Sequence, residues 1–234
     1  MKAMILAAGL GQRMRPLTDH LPKPLLSAGG KTLLDYHLEK IQAAGIRQVV
    51  INLAYLGHKI REHLEGRYPQ LSIHFSEEPE PLETGGAIVH ASQLLGDQPF
   101  LLINGDVWSD VNYQEFIQRP IINQLGHLLM VPNPEFHPQG DFAIRNQQLL
   151  EKSSVDASEP SYTFAGISLL SPQLINDYPL KRQKFPLVEV FRAAIQQKKL
   201  TAEVYSGHWN DVGTPERLAA LNHFLSTKPK EIHK

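Results

Sequence analysis

LAAGLGQRMRPLTDHLPKPL, residues Leu6–Leu25, is the stretch on which the reading of this chain turns. It continues a short apolar run, Ala3 to Ala7, that reads as a buried strand ended by glycine. Gly9 and Gly11 carry no Cβ, so the backbone there can turn sharply and come close to a ligand. Two guanidinium groups, Arg13 and Arg15, follow, and then the ammonium of Lys23 between Pro22 and Pro24. Backbone N–H groups beside such cations suit a polyphosphate.

Two better-known phosphate loops do not fit. A dinucleotide fingerprint needs a third glycine where Met14 stands, an immediate helix, and an acid ending the second strand. Here Pro16, Pro22 and Pro24 oppose an early helix, and the second expected strand ends in Asn52. The GGKT at Gly29 to Thr32 imitates the end of a P-loop, but the first glycine of that motif falls on Leu25. Gly29-Gly30 is read instead as a turn leading into a helix.

Outward from the loop, strand and helix patterns alternate. Helices are expected at Thr32 to Ala44, where Gly45 is the stop signal, from Leu56 to Leu64, and from Gly85 to Leu95. Strands are expected at Gln48 to Leu53, Leu71 to Phe75 and Phe100 to Ile103. The second half is less regular. Strands are expected at Leu128 to Val131, Asp141 to Ile144, Phe164 to Leu170 and Ala202 to Tyr205, with a turn at Asn146 to Gln148 and a loop at Ser158 to Pro160. Helices are expected at Leu187 to Gln197 and Thr214 to Leu225. Repeated βα units predict an α/β fold, a Rossmann-like, mixed but mainly parallel sheet with helices on both faces. One domain over residues 1–226 and a short tail at 227–234 are expected.

Composition bounds the function. The 234 residues are 42% hydrophobic and 20% charged, with 23 basic and 24 acidic side chains and a formal net charge of −1. Nothing in that balance calls for nucleic acid or an anionic membrane. No cysteine is present, which excludes disulfides, thiolate metal sites and cysteine nucleophiles. The 11 histidines show no HExxH spacing, and no GxSxG elbow occurs. No apolar stretch reaches the roughly 18 residues of a membrane span. A cytoplasmic monomer acting on small molecules is expected.

In an open parallel sheet, ligands sit beyond the C-terminal strand ends. Gly9 to Lys23, Glu77 to Gly86 and Asn104 to Asp106 each follow an expected strand, so all three are predicted to face one crevice. Asp106, in INGDVW, directly follows a buried strand, where a carboxylate can hold a metal or cap the next helix.

GLGQRMRPLTDHLPKPL resembles the signature loop of the sugar-phosphate nucleotidyltransferases, GxGTRLRPLT followed by PKP, with Gln12 for Thr and Met14 for Leu. The resemblance extends from Met1 to about Leu225 and implies the nucleotide-diphospho-sugar transferase type of fold. It implies nucleotide contacts from Ala8, Gly9, Gly11, Gln12, Arg13, Lys23, Glu78, Gly85 and Asn104, with Arg13 and Lys23 catalytic. EEPEPLETGGAI, Glu77 to Ile88, resembles the family's base-recognition segment, in which glycines let a flat base approach and Glu78 and Glu83 offer acceptors. Asp106, and Asp211 in HWNDVGTPERL, resemble the family's two Mg2+ ligands. Gly140, Asp141, Glu151, Lys152 and Gly166 resemble positions around the acceptor sugar, and Trp209 is read as a packing residue beside them.

Within the family, LETGGAI, NGDVW, GDF, FAGIS and HWNDVGT resemble the branch that transfers uridylyl from UTP to N-acetylmuramic acid 1-phosphate. Guanylyl or thymidylyl transfer to a hexose or heptose 1-phosphate, or a silent nucleotide-sugar sensor, are the alternatives. No hexapeptide-repeat domain for acetyl transfer is expected.

Overall fold

β1 (Lys2–Leu6) is the apolar run that leads into the signature loop, and it lies in the middle of the parallel half of the sheet. It pairs in parallel with β2 (Gln48–Leu53) on one side and, once β3 (Ser72–Glu77) has been added outside β2, with β4 (Phe100–Asn104) on the other. The register aligns Leu6 with both Asn52 and Asn104, so the loops after these strands start level with one another. This is the crevice expected from the sequence.

The computed structural model describes residues 1–156, 159–179 and 182–227. Thr227 closes the last helix, and the rest of the expected tail lies outside the described residues, as does Ser158 of the expected loop. Beyond β4 come β5 (Gly126–Val131), the hairpin β6 (Phe142–Arg145) and β7 (Gln148–Glu151), β8 (Ser161–Leu170) and β9 (Leu200–Val204). The nine-stranded sheet runs β3-β2-β1-β4-β8-β5-β9-β7-β6. β8 is antiparallel to both neighbours, while β5 and β9 are parallel to each other. The sheet is mixed, as expected.

Alternation along β1 sends Ala3 and Ile5 to one face and Met4 to the other. The first face is covered by α1 (Leu33–Ala43) and α2 (Gly57–Leu64) through Leu34, Leu38 and Ile60. The second is covered by α3 (Glu83–His90) and α4 (Leu187–Gln196) through Ala87, Ile88, Val190 and Phe191. A third cluster joins Met14, Leu33, Trp108, Val212, Leu218 and Leu221, and so packs the signature loop against α5 (Pro215–Thr227).

Three of the differences from the sequence reading bear on the sheet and the site. β7 was not expected; Asn146 and Gln147 both adopt left-handed φ (51° and 63°), which makes a tight hairpin out of what reads as a simple turn. The expected helix from Gly85 to Leu95 starts earlier and is interrupted at Ala91, before a single turn at Ser92–Leu95. Val107–Ser109 and Trp209–Asp211 form an antiparallel two-stranded ribbon, too short for periodicity to reveal.

Candidate active site

The ribbon explains how two acids so distant in sequence share a site. It places Asp211 opposite Val107, and Val212 N–H donates to the carbonyl of Asp106 at 3.0 Å. Gly105 lets the chain double back at the end of β4: its N–H donates to Leu6 O at 2.9 Å, and a Cβ there would stand 2.7 Å from the same oxygen. No other residue fits so close to β1, and the next side chain, Asp106, is thereby turned into the crevice.

Two cavities of about 150 Å³ and 330 Å³ meet at Asn104 and Asp106. The first is walled by Ala8, Gly9, Lys23, Glu78, Glu83 and Thr84. No atom comes within 4 Å of a Cβ built on Gly9, so its backbone is open to a ligand. The second holds Arg13, Asp141, Phe164, Gly166 and Asp211, with Phe136, His137, Trp209 and Arg217. Gly166 has φ +72° at the register shift in β8, and a Cβ there would meet Asn104 and Val107 at 2.9 Å.

Lys23 is 8% exposed, and its Nζ donates to Asp106 Oδ2 at 2.5 Å. Arg217 Nη1 donates to Asp211 Oδ2 at 3.1 Å. Asp211 Oδ1 is buried without a hydrogen-bond partner. Burial, then the adjacent Asp106 charge, push the Asp211 carboxyl above its usual range, against the pull of Arg217, Lys23 and Arg13. Among the described residues no three acids or histidines gather into a metal cage. Mg2+ needs none: it usually keeps one or two carboxylates and fills its remaining positions with phosphate and water. An acid pair with a buried, orphaned oxygen offers the kind of oxygen donors such an ion takes.

Other expected residues are held by bonds within the protein itself. Ala7 N–H donates to Asn52 Oδ1 at 2.7 Å, Asn52 Nδ2 to Glu78 Oε1 at 2.7 Å, and Leu82 N–H to Glu78 Oε2 at 2.9 Å. Both oxygens of Glu78 therefore already tie the first loop to the third. Gly85 and Gly86 were expected to let a base approach, but protein fills that space. Their N–H groups donate to Phe185 O at 3.0 and 3.2 Å, and a Cβ would meet the Phe185 ring at 2.4 Å and Gln183 O at 2.2 Å, respectively. Glu83, by contrast, lines the first cavity with φ 61°, a costly backbone for a residue with a Cβ.

Gly11 (φ +61°) turns the loop against Thr18, whose hydroxyl donates to Gly11 O at 2.8 Å, and Gln12 opens the exposed turn beside it. Gly140 packs against Asn133, and its carbonyl accepts from Lys152 Nζ at 2.7 Å. Glu151 Oε1 faces Arg192 Nε at 3.5 Å. Gly11, Gln12, Gly85, Gly140, Glu151 and Lys152 line neither cavity. Asp141 does line the second; its Oδ2 accepts from Phe164 N–H at 2.8 Å, and its Oδ1 pairs with His137 at 3.0 Å. Trp209 packs as expected, donating to Ala165 O at 2.9 Å while its ring walls the second cavity.

Phe136 lies in the irregular segment Pro132 to Asp141, expected to wall the acceptor space, and Arg217 in HWNDVGTPERL, but neither residue was singled out from the sequence. The Arg217 guanidinium lies 4.0 Å over the Phe136 ring, a contact between α5 and the segment before β6. The spacing from Asp211 to Arg217, across one glycine and a helix start, is the only hint the sequence holds.

Residues 2–228 match the nucleotidyl transferase family. The chain is 40% identical over 226 residues to the N-acetylmuramate alpha-1-phosphate uridylyltransferase of Neisseria meningitidis serogroup B, covering 93% of this chain and 95% of that one. It is 31% identical to the enzyme of the same name from Caulobacter vibrioides, covering 93% and 94%. Its fold superposes on a UDP-glucose pyrophosphorylase from Acinetobacter baumanii with a TM-score of 0.82 at 18% identity, covering 98% of this chain and 94% of that one. A signature loop over one cavity, an acid pair at its junction with a second, and a match that spans nearly the whole chain agree: the chain belongs to the nucleotidyl transferase family, among the sugar-1-phosphate nucleotidyltransferases.

Proposed function

We propose that this chain transfers uridylyl from UTP to N-acetylmuramic acid 1-phosphate, releasing pyrophosphate, with Mg2+ as its metal. The observation that carries the reading is the junction of two cavities at Asp106, one opening on the signature loop and one rich in side chains from the second half. The nucleoside and its α-phosphate are assigned to the first, and the sugar phosphate to the second, whose lining also takes in Arg13 of the signature loop. The 40% identity to the Neisseria uridylyltransferase supports the choice of base and sugar. In the second cavity Arg217 is the group offered to the anions of such an acceptor, in a lining that also carries Asp106, Asp141 and Asp211. A cytoplasmic role in reusing cell-wall sugars follows from that acceptor.

A sugar-phosphate oxygen is already ionised near neutral pH, so its attack on the α-phosphorus needs no general base. One P–O bond forms at the α-phosphorus, the bond to the β-phosphate oxygen breaks, and the electron pair leaves on pyrophosphate. What the protein must supply is alignment of two mutually repelling anions and charge to meet the leaving group. Lys23, in the first cavity, is assigned to the α-phosphate and Arg13 to the departing pyrophosphate. Asp106 and Asp211 would hold Mg2+, which when bound supplies positive charge between the two phosphates.

Pyrophosphate release from a matrix of four nucleoside triphosphates and several sugar 1-phosphates tests the reading. The expected result is a preference for UTP with the muramic acceptor. Equal kcat/KM on N-acetylglucosamine 1-phosphate, which lacks the lactyl carboxylate, would overturn the sugar and leave the reaction type standing. A preference for GTP or dTTP would overturn the base.

A further inference from the structure

We infer that Arg217 is a displaceable internal counter-ion of Asp211 which, together with Lys23 on Asp106, holds the acid pair closed to a divalent cation until the substrates draw both cations away. This rests on the reading of Asp106 and Asp211 as the acids of a cation site. Each acid is already engaged by one basic side chain, Asp106 by Lys23 at 2.5 Å and Asp211 by Arg217 at 3.1 Å. The two basic groups belong to different cavities, Lys23 to the first and Arg217 to the second. Each anionic substrate therefore enters beside the cation that blocks one acid.

The Arg217 pair is built to be held and to be released. Its guanidinium crosses Gly213, where a Cβ would stand 2.1 Å from Nη2, so only glycine leaves it a path to Asp211. The Phe136 ring supports it from the other side, 4.0 Å from Cζ. Yet it reaches only Oδ2 and leaves Oδ1 with no partner. A one-oxygen contact is weaker than the forked pair a guanidinium makes with a phosphate or carboxylate. An anion in the second cavity offers that fork, and the guanidinium can turn to it while remaining on the ring. Asp211 is then free on both oxygens.

Arg13 separates this idea from a general effect of charge. It lines the same cavity and acts on Asp211 through space, but no ion pair holds it among the described residues.

The experiment titrates Mn2+ into substrate-free protein and follows the free-ion signal by electron paramagnetic resonance. Arg217→Gln, which keeps an N–H donor but not the charge, is expected to bind Mn2+ about tenfold more tightly than the unmodified protein. Arg13→Gln is expected to gain less than about threefold, because it removes charge without removing a competitor. Adding Asp211→Asn to Arg217→Gln should abolish the gain. Phe136→Leu, which removes the exposed ring that supports the guanidinium, is the second variant should Arg217→Gln not fold, and it too should tighten binding. Asp211-dependent Mn2+ binding that is no tighter in Arg217→Gln, or tightened equally by Arg13→Gln, overturns the counter-ion role alone. Mn2+ binding indifferent to Asp211 in every variant, with or without UTP, overturns the cation site and the counter-ion role together.

Discussion

Arg13 is exposed at the mouth of the second cavity and carries no ion pair among the described residues, so its full charge is free to meet a ligand. If it acts on charge that develops as pyrophosphate leaves, its removal should reach turnover more than binding. Arg13→Ala is expected to lower kcat by about two orders of magnitude with a modest change in the KM for UTP. Steady-state kinetics over a range of UTP checks this, and a variant defective only in KM would reduce Arg13 to ground-state binding. At this scale the placement of residues was legible where they sit in a motif: Gly9, Lys23, Asp106 and Asp211 all line the cavities. It was less so where a residue's surroundings come from elsewhere. A glycine pair reads the same whether a base or a Phe185 ring occupies the space above it. Arg217 looked like an ordinary helix residue until α5 laid it on Phe136.

At the scale of elements, α1 underpins the acid site from below. His37 is buried, and its Nδ1 meets Tyr113 Oη at 2.9 Å, while Lys40 bonds the Ser109 carbonyl at the end of the ribbon strand that begins beside Asp106. Burial, reinforced by the Lys40 charge, pushes the His37 imidazole down from 6.5 to about 3. The unfolded chain therefore takes up this proton first as pH falls. Stability attributable to the neutral ring is fully present above 6.5 and is lost progressively from there towards pH 3, by at most about 1.4 kcal/mol per pH unit. Urea midpoints at pH 7 and pH 5 for the unmodified chain and His37→Gln check this. The variant should show the smaller drop, and equal drops would mean that the histidine titrates normally. Elements long enough to show a period, such as α1, α2 and β4, could be read in advance. The ribbon could not, because three residues a side carry no pattern and its pairing is decided by the third core cluster around Trp108 and Val212.

The whole molecule unites Asp106 and Asp211. The aligned ends of β1, β2 and β4 could be foreseen from alternating strands and helices, but the union of these acids rests on a ribbon that the complete fold must assemble first. If the two serve one cation, they act as a unit, and losses at residues that act as a unit do not add. Asp106→Asn and Asp211→Asn each preserve shape while removing a charge, and each leaves the repulsion between sugar phosphate and triphosphate under-compensated. Each should lose most of the activity, and the double variant should be little worse than the poorer single one. Raising the Mg2+ concentration should partly restore the singles if affinity is the main loss, and should do least for the double. Asp211→Asn also leaves Arg217 without its acid, so thermal melts must accompany the kinetics to separate a damaged fold from a damaged site. The measurement is turnover against Mg2+ for all three variants. Near-normal turnover in folded Asp211→Asn would remove that residue from the site, and cleanly multiplicative losses would assign the two acids separate tasks.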